Sequence, residues 1–248
     1  MLFPTTARPL IGAHRGASAQ APENTMAAFD LAVEQGAELI ELDVHRSLDG
    51  GLVIIHDFDV ARTTGRPGLV AELTAAQLRD LDAGSWKGEQ WAGARIPTLD
   101  QVLDRYGSTV LLNIEIKAGN DPSHGIAGQV AQAVRRRNLY DRVVISSFDW
   151  AIIKELRRVD PAVRVALLAD RRPDEALLYA AELGAVGVHL KAELVTTARA
   201  ARAQTHGLGI LAWTVDEPEE MARLAALGID AIVSNVPSRL REVVLAHR

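Results

Sequence analysis

Three segments of this sequence repeat one pattern, in which the end of a helix is followed by a glycine and an apolar strand: EQGAELIELDV, ELGAVGVHL and ALGIDAIVS. Because glycine readily adopts the left-handed conformation that closes a helix, each copy is typical of the αβ half of a βαβ unit. Similar apolar runs, separated by amphipathic segments, bring the number of predicted strands to eight: Leu10–Ala13, Leu39–Val44, Val110–Ile116, Val143–Ser146, Arg164–Leu168, Val186–Leu190, Ile210–Thr214 and Ala231–Ser234. Eight strands that alternate with helices predict an α/β fold, the closed (β/α)8 TIM barrel.

The length of the chain fits one such barrel. At 248 residues it has the usual size of a single (β/α)8 domain, and residues 1–248 are predicted to form one domain. An open, doubly wound sheet is the alternative, but the Gly-rich dinucleotide fingerprint that such a sheet often carries is missing. The rhythm of strands and helices breaks after the second strand. A Gly-rich, polar segment at about residues 46–97 is predicted to be a small insertion over the barrel mouth.

Composition excludes several classes of protein. The formal net charge of -5 argues against a nucleic-acid binder, which normally carries a basic face. The absence of cysteine removes disulfides, thiol nucleophiles and zinc–thiolate sites. The apolar runs are too short for stable membrane insertion, and the start of the chain lacks the unbroken apolar stretch of a signal peptide. The short apolar runs and the start of the chain predict a cytoplasmic protein, and the sequence leaves its oligomeric state open.

Acidic residues are concentrated in two of the predicted strands. Glu41 and Asp43 are two residues apart in one strand, and Asn113, Glu115 and Lys117 alternate in the same way in another. Residues two apart on a strand face the same side, so these groups are expected to converge at the barrel mouth. Each acid could instead pair with a nearby Arg or Lys. Three carboxylates at close range favour one divalent cation, Mg²⁺ or Ca²⁺, as the cofactor.

Two histidines accompany these acids. His14 follows the first predicted strand and precedes Arg15 and Gly16, whereas His56 precedes Asp57, which could orient it. Two imidazoles suit an acid/base pair, and the planar guanidinium of Arg15 suits a phosphate oxygen. A lone histidine is more often structural than catalytic, but this combination of groups predicts phosphate ester cleavage.

Other polar and aromatic residues are weaker candidates. Asn24 is interpreted as a helix N-cap and Glu23 as a favourable first-turn charge. Trp213 is either core or a platform for an alcohol or choline-like head group. His189 and Lys191, at the end of the sixth predicted strand, are secondary candidates. Three further histidines are predicted to be surface residues: His45, His124 and His206.

An ordered set of motifs along nearly the whole chain resembles the glycerophosphodiester phosphodiesterase family, among the phosphatidylinositol phospholipase C-like TIM-barrel phosphodiesterases. The motifs are HRG at 14–16, PENT at 22–25, E-x-D at 41–43, DG at 49–50, HD at 56–57, IPTL at 96–99, E-x-K at 115–117, SF at 147–148 and WTV at 213–215. Single pieces such as HD or SF are weak signals. The complete set in this order is highly specific.

The resemblance implies metal-dependent hydrolysis of glycerophosphodiesters to sn-glycerol 3-phosphate and an alcohol. In the mechanism usually drawn for the family, a substrate hydroxyl attacks phosphorus and water then opens the cyclic phosphate. The implied roles are metal ligands for Glu41, Asp43 and Glu115, general acid and base for His14 and His56, and phosphate contacts for Arg15 and Lys117. Three positions depart from the family pattern: Ser47 where Thr is common, Asp216 where Asn often follows WTV, and Asn235 where Asp is common near the last strand.

Three alternatives to this function have distinct requirements. A lysophospholipase D-like or sphingomyelinase D-like enzyme would need an apolar collar, but the insertion is mostly polar, with Trp86 and Trp91 as its clearest apolar anchors. A barrel aldolase or isomerase would use Lys117 as an amine nucleophile, and its flanking acids argue against that role. A non-catalytic phosphate-binding barrel would tend to have lost some of the acidic, basic and imidazole groups that are all present here.

Overall fold

A closed, mostly parallel sheet is at the centre of the computed structural model, which describes residues 8–117 and 125–246. The strands in this part of the chain are β1 (Leu10–His14), β2 (Leu39–Arg46), β3 (Leu52–Ile54), β4 (Leu111–Ile116), β5 (Val143–Ser147), β6 (Arg164–Ala169), β7 (Gly187–Lys191), β8 (Gly209–Trp213) and β9 (Ala231–Ser234). All except β3 pair in parallel, and β1 pairs with both β2 and β9. This closure confirms the predicted TIM barrel over the open sheet.

The helices follow the barrel strands and cover them from outside, except for two short ones in the segment after β2. They are α1 (Met26–Glu34), α2 (Ala61–Thr64), α3 (Ala75–Arg79), α4 (Leu99–Tyr106), α5 (Ile126–Arg136), α6 (Trp150–Val159), α7 (Pro173–Leu183), α8 (Thr197–Thr205), α9 (Pro218–Ala226) and α10 (Pro237–Ala246). Before α4, Thr98 and Gln101 form the predicted capping box. In the described ranges, no helix has both the length and the apolar character that crossing a membrane requires.

Strand alternation separates two layers of apolar side chains. On β2, Ile40, Leu42 and Val44 face outward and join the core between barrel and helices. Inward-facing residues of several strands form a second cluster, which includes Leu39, Val144, Leu211 and Val233. Each fully buried aliphatic side chain of this kind contributes about 1.5–3 kcal/mol to folding. Since part of the barrel interior is filled in this way, polar side chains concentrate nearer the carboxyl ends of the strands.

The segment between β2 and α4 interrupts the barrel rhythm. It contains β3, which pairs antiparallel with β2, and the short helices α2 and α3. Its apolar residues form a small cluster of their own: Val53, Ile55, Val60, Val70, Leu78, Ala83 and Ile96. Arg62 of this segment forms an ion pair of 2.7 Å with Glu23, and Lys87 Nζ donates a hydrogen bond of 2.7 Å to the carbonyl of Ser18. The segment is therefore attached to the loop that follows β1.

Candidate active site

A pocket opens at the carboxyl ends of the barrel strands, and most of the predicted site residues line it. The lining consists of His14, Arg15, Glu41, His56, Asn113, Glu115, Lys117, Phe148, Leu168, His189, Leu211 and Trp213. Asp43 is buried beside this lining. The eight residues singled out from the sequence for catalysis, metal binding or phosphate binding are thus brought together, although they lie between positions 14 and 213 of the chain.

Three buried carboxylates form the most acidic part of the pocket. Asp43 on β2 is directly opposite Glu115 on β4, and Glu41 is opposite Asn113, so the strand register brings the three acids together. One oxygen from each acid lies within 4.8 Å of the others. Such an all-oxygen donor set suits a divalent cation, because carboxylate oxygens are the ligands that Mg²⁺ and Ca²⁺ prefer. The acidic cluster therefore fits a divalent metal site.

The pKa values of these acids reflect their crowding. Burial and the neighbouring Asp43 and Glu115 raise the pKa of Glu41 well above its usual value. Burial and Asp43 likewise raise the pKa of Glu115 to about 7. Burial also opposes ionisation of Asp43, but Lys117 and Arg15 outweigh it and hold the pKa of Asp43 below its usual range. A further positive charge in the cluster would favour ionisation of all three acids.

Two basic side chains already face the carboxylates. Lys117 Nζ is 2.9 Å from Asp43 Oδ1 and also donates to Glu115 Oε1. Arg15 Nε is 3.3 Å from Asp43 Oδ2, and a terminal nitrogen of Arg15 donates to Glu23 at 2.9 Å. The individual acid–base pairing considered for the sequence thus occurs for Asp43 and Glu115. Among the described residues, Glu41 has no ion pair with an Arg or Lys, so the third acid of the cluster lacks such a partner.

The turn after β1 sets the position of His14 and Arg15. Arg15 has a φ of 57° and Gly16 a φ of 83°, so the chain turns sharply there. A Cβ atom on Gly16 would lie 2.6 Å from the backbone of Ala28, which explains the need for glycine. The backbone N–H of Arg15 donates to the carbonyl of Glu41 at 2.9 Å. This turn connects the end of β1 to the acidic strand β2.

The two histidines have different partners. His14 Nδ1 is 2.8 Å from Asn235 Oδ1, and His14 Nε2 is 4.0 Å from Glu41 Oε2. Burial and the positive charge of Arg15 lower the pKa of His14 to about 4. His56 Nδ1 is 2.7 Å from Asp57 Oδ1, as the sequence suggested. Burial lowers the pKa of His56, while the carboxylate of Asp43 opposes the shift.

Asn24 is buried behind the acids, and its predicted role as a helix N-cap is wrong. The residue that caps α1 is Thr25, whose hydroxyl accepts from the backbone N–H of Ala28. Asn24 has a φ of 56°, and its Nδ2 donates to Asp43 Oδ2 at 2.7 Å. Its neighbour Glu23 lies before the cap, so its predicted place in the first turn is also wrong, and it instead pairs with Arg15 and Arg62. Both residues therefore support the side chains of the pocket.

The remaining histidines differ from the sequence expectation in one case. His45 is only 5% exposed, beneath the ring of Phe58, and its Nε2 is 3.0 Å from the carbonyl of His56, so the prediction of a surface position is wrong. Strand alternation offered the missed signal, because His45 continues the inward series after Glu41 and Asp43. His206 is exposed as predicted. His124 lies outside the described residues.

The secondary candidates on β7 differ in burial, because Lys191 is the last residue of the strand. His189 is fully buried at the pocket, whereas Lys191 is exposed and pairs with Glu193. Trp213, at the end of β8, lines the pocket in edge-to-face contact with Phe148, with ring centroids 5.5 Å apart. Asn235 contacts His14 directly, and Asp216 contacts Asn235. In the sequence, both residues stand out only as departures from a family pattern.

Barrel architecture and pocket chemistry define the class of this chain as a TIM-barrel enzyme for an anionic substrate. The model of the glycerophosphoryl diester phosphodiesterase family matches residues 14–239. The chain therefore belongs to the glycerophosphoryl diester phosphodiesterase family, which confirms the resemblance drawn from its motifs.

Individual relatives are similar over nearly their full lengths. A glycerophosphodiester phosphodiesterase of Caldanaerobacter subterraneus subsp. tengcongensis is 37% identical over 238 residues, 96% of this chain and 98% of the relative. One from Bacillus subtilis is 31% identical and spans 95% of this chain and 86% of the relative. An Oleispira antarctica phosphodiesterase, solved in complex with the product sn-glycerol-3-phosphate, has a TM-score of 0.88 at 30% identity and covers 96% of this chain and 97% of that chain.

Proposed function

We propose that the chain hydrolyses small glycerophosphodiesters to sn-glycerol 3-phosphate and an alcohol in this pocket. The observation that carries the proposal is the convergence of the buried acids Glu41, Asp43 and Glu115 beside Lys117 and Arg15. An anionic diester requires positive charge at such a site, and the acids are suited to hold it as one divalent cation, Mg²⁺ or Ca²⁺. Family membership and the relative solved with its product sn-glycerol-3-phosphate support the substrate class.

The side chains of the pocket divide the chemistry between them. When bound, the cation would supply Lewis-acid stabilisation of the charge on the phosphoryl oxygens. Arg15 and Lys117 contact the phosphate and stabilise this charge further. His14 and His56 act as general acid and base, one taking a proton from the attacking substrate hydroxyl and the other protonating the leaving alkoxide. Water then opens the resulting cyclic phosphate to give sn-glycerol 3-phosphate. Trp213 contacts the organic part of the substrate.

The experiment is a hydrolysis assay with glycerophosphocholine and glycerophosphoethanolamine, in which sn-glycerol 3-phosphate is detected. Each reaction is run with EDTA and then with excess Mg²⁺ or Ca²⁺. The variant Glu219→Gln, which removes an acidic side chain on α9 outside the pocket lining, is assayed as a control. We expect release that is lost in EDTA and restored by one of the two ions. Absence of release with either ion, from a folded sample, would contradict the proposal. Lysophosphatidylcholine, assayed in parallel, tests the lysophospholipase D-like alternative.

We also propose that residues 1–248 form one catalytic domain, with the segment at about residues 46–97 over the barrel mouth. Support comes from His56, which lies in this segment and lines the pocket, and from the contacts of Arg62 and Lys87 with the loop after β1. A single calorimetric unfolding transition is expected, and two separate transitions would contradict it. Cytoplasmic location stays a prediction from the sequence, which fractionation of the native cells tests.

A further inference from the structure

A chain of side-chain hydrogen bonds lies behind His14, on the side away from the acids. Asn235, which follows β9, has its Oδ1 2.8 Å from His14 Nδ1. The Nδ2 of Asn235 donates to Asp216 Oδ2 at 2.6 Å, and Asp216 itself follows the end of β8. The three side chains thus join the carboxyl ends of β8, β9 and β1. The proposed function assigns no role to Asn235 or Asp216.

The direction of each hydrogen bond in this chain is fixed by groups that can only donate or only accept. Asp216 Oδ1 accepts from the backbone N–H of Asn235 at 2.8 Å and from the Ser234 hydroxyl at 2.9 Å. The other oxygen of this carboxylate accepts as well, so the NH₂ group of Asn235 must face it. The amide oxygen of Asn235 therefore faces His14, and the Ser18 hydroxyl donates to the same oxygen at 2.7 Å.

The orientation of the amide determines where the neutral imidazole carries its hydrogen. An amide oxygen only accepts, so Nδ1 of His14 must be the protonated nitrogen of the neutral ring. Its Nε2, on the side of Glu41, then holds the lone pair that exchanges a proton with the substrate. The opposite tautomer would turn an unprotonated Nδ1 toward an amide oxygen and lose this hydrogen bond.

We propose that Asp216, acting through Asn235, is the positioning residue that fixes the Nδ1–H tautomer and the ring orientation of His14. The proposal rests on the proposed function, in which His14 exchanges a proton. The intervening amide transmits orientation while keeping the carboxylate one side chain away from the imidazole. Both positions depart from the family pattern described above, and they are the two ends of one hydrogen bond.

The test compares Asp216→Asn, Asn235→Asp and the double exchange Asp216→Asn/Asn235→Asp. In Asp216→Asn, the new amide oxygen can keep the bonds to Ser234 and to the backbone of Asn235, so the change is confined to the contact with Nδ2. Asn235 can then rotate and present its NH₂ group to His14. We expect kcat to fall about 10- to 100-fold, the cost typical of removing an outer hydrogen-bond partner, with KM changed less than about twofold.

The two other variants separate positioning from a general loss of structure. Asn235→Asp brings two carboxylates into contact, and their repulsion is expected to reduce kcat further. The double exchange restores one carboxylate and one amide, with the carboxylate now accepting from His14 Nδ1. Its kcat is expected to exceed that of Asn235→Asp by at least about 10-fold. A double exchange that is no more active than the worse single variant would overturn the proposal.

A second measurement reads the tautomer without relying on catalysis. Two-bond ¹H–¹⁵N correlation spectra at pH 7.5 distinguish protonated from unprotonated ring nitrogens, and loss of signal in His14→Gln identifies His14. We expect the Nδ1–H form in the wild type and the double exchange, and a mixture of forms in Asp216→Asn. Asp230→Asn is the matched control, because Asp230 also accepts a backbone N–H, from Ile210 at 2.8 Å, just before β9 begins. The kcat of Asp230→Asn and the tautomer of its His14 are expected to match those of the wild type.

The outcomes distinguish failure of this inference from failure of the proposed function. If the wild type hydrolyses the diesters but Asp216→Asn keeps both the Nδ1–H form and the wild-type kcat, Asp216 does not position His14. If the spectra follow the expected pattern but no diester is hydrolysed, the hydrogen-bond chain stands and the proposed substrate class is wrong. Circular dichroism and the unfolding temperature of each variant show whether it is folded.

Discussion

Two halves of the barrel mouth use the same backbone arrangement for opposite chemistry. The charged half, on β1, β2 and β4, presents His14, Glu41, Asp43 and Glu115 to the pocket. The apolar half, on β6, β7 and β8, presents Leu168, His189, Leu211 and Trp213. The charged half thus occupies neighbouring strands of the barrel, where its acids and bases can reach one another. The apolar half excludes water from one side of these charges, which strengthens their interactions.

Burial has different consequences in the two halves. In the charged half, neighbouring charges act together with burial, so the pKa of Glu115 rises to about 7 while that of Asp43 falls below its usual range. In the apolar half, burial alone lowers the pKa of His189 to about 3. Neither ring nitrogen of His189 has a hydrogen-bond partner among the described residues. The charged half is therefore suited to hold and exchange charge, whereas the apolar half keeps its one imidazole neutral.

The largest expected effect comes from removing an imidazole that faces the charged half. His56→Ala should reduce kcat about 10²- to 10⁴-fold, because one of the two proton transfers then lacks its partner. The unfolding temperature should change little, since Asp57 keeps its ion pair with Arg62. Steady-state hydrolysis of glycerophosphocholine measures the loss, with the exposed His206→Ala as the control. Near-normal turnover in His56→Ala would remove this residue from the acid/base pair.

A smaller effect is expected from neutralising one carboxylate of the charged half. Glu41→Gln should weaken Mg²⁺ or Ca²⁺ affinity by at least about 10-fold, and excess ion should partly restore activity. Without metal, the variant should be more stable than the wild type at pH 8. Burial and the neighbouring acids raise the pKa of Glu41, so ionising it at high pH destabilises the folded protein.

Calorimetric metal titration and thermal unfolding in EDTA measure the two consequences of Glu41→Gln. The exposed Glu219→Gln on α9 is the control for loss of one acid. Added metal should raise the unfolding temperature of the wild type more than that of Glu41→Gln. An unchanged titration would exclude Glu41 from the ligand set, and the comparison of the two halves would then need a different account of the crowded acids.

Local patterns were sufficient to predict the fold and most of the pocket. Glycine before an apolar run located strands such as β2, and the period of two residues placed Glu41 and Asp43 on one face. Once eight strands were recognised, the barrel itself implied that their polar ends converge. The predicted strand boundaries differ from the observed ones by at most two residues, since strand ends depend on pairing partners.

Contacts between distant segments could not be predicted in the same way. Asn24 precedes a helix, which is typical of an N-cap, but its amide is turned toward Asp43 on β2. Strand alternation places His45 on the inward face of β2, but Phe58, which covers it, comes from the segment after β2. Asn235 meets His14 across 221 positions of sequence, and no local periodicity links two such residues. The contact between Asn235 and His14 depends on the closed barrel, which brings the first and last strands together.

The smallest expected effect concerns stability in the apolar half, where His189 can be replaced without touching the acids. The folded state lowers the pKa of His189 from 6.5 to about 3, so the unfolded chain binds a proton first as the pH falls. Its contribution to stability is full above about pH 6.5 and decreases below it, by up to about 1.4 kcal/mol per pH unit. His189→Leu should remove this loss and leave a protein whose stability depends less on pH.

Urea unfolding of both proteins at pH 7.5 and pH 5.0 gives the required free energies. The free energy of unfolding of His189→Leu, relative to that of the wild type, should be higher at pH 5.0 than at pH 7.5. Only in the wild type does unfolding at pH 5.0 release the imidazole of His189, which then takes up a proton. Leu211→Val, on the neighbouring strand, alters packing without a titrating group, so its difference from the wild type should be the same at both pH values. An equal difference for His189→Leu would mean that the ring nitrogens are solvated through the pocket. Water would then reach the apolar half of the pocket, and the two halves would differ only in their charged residues.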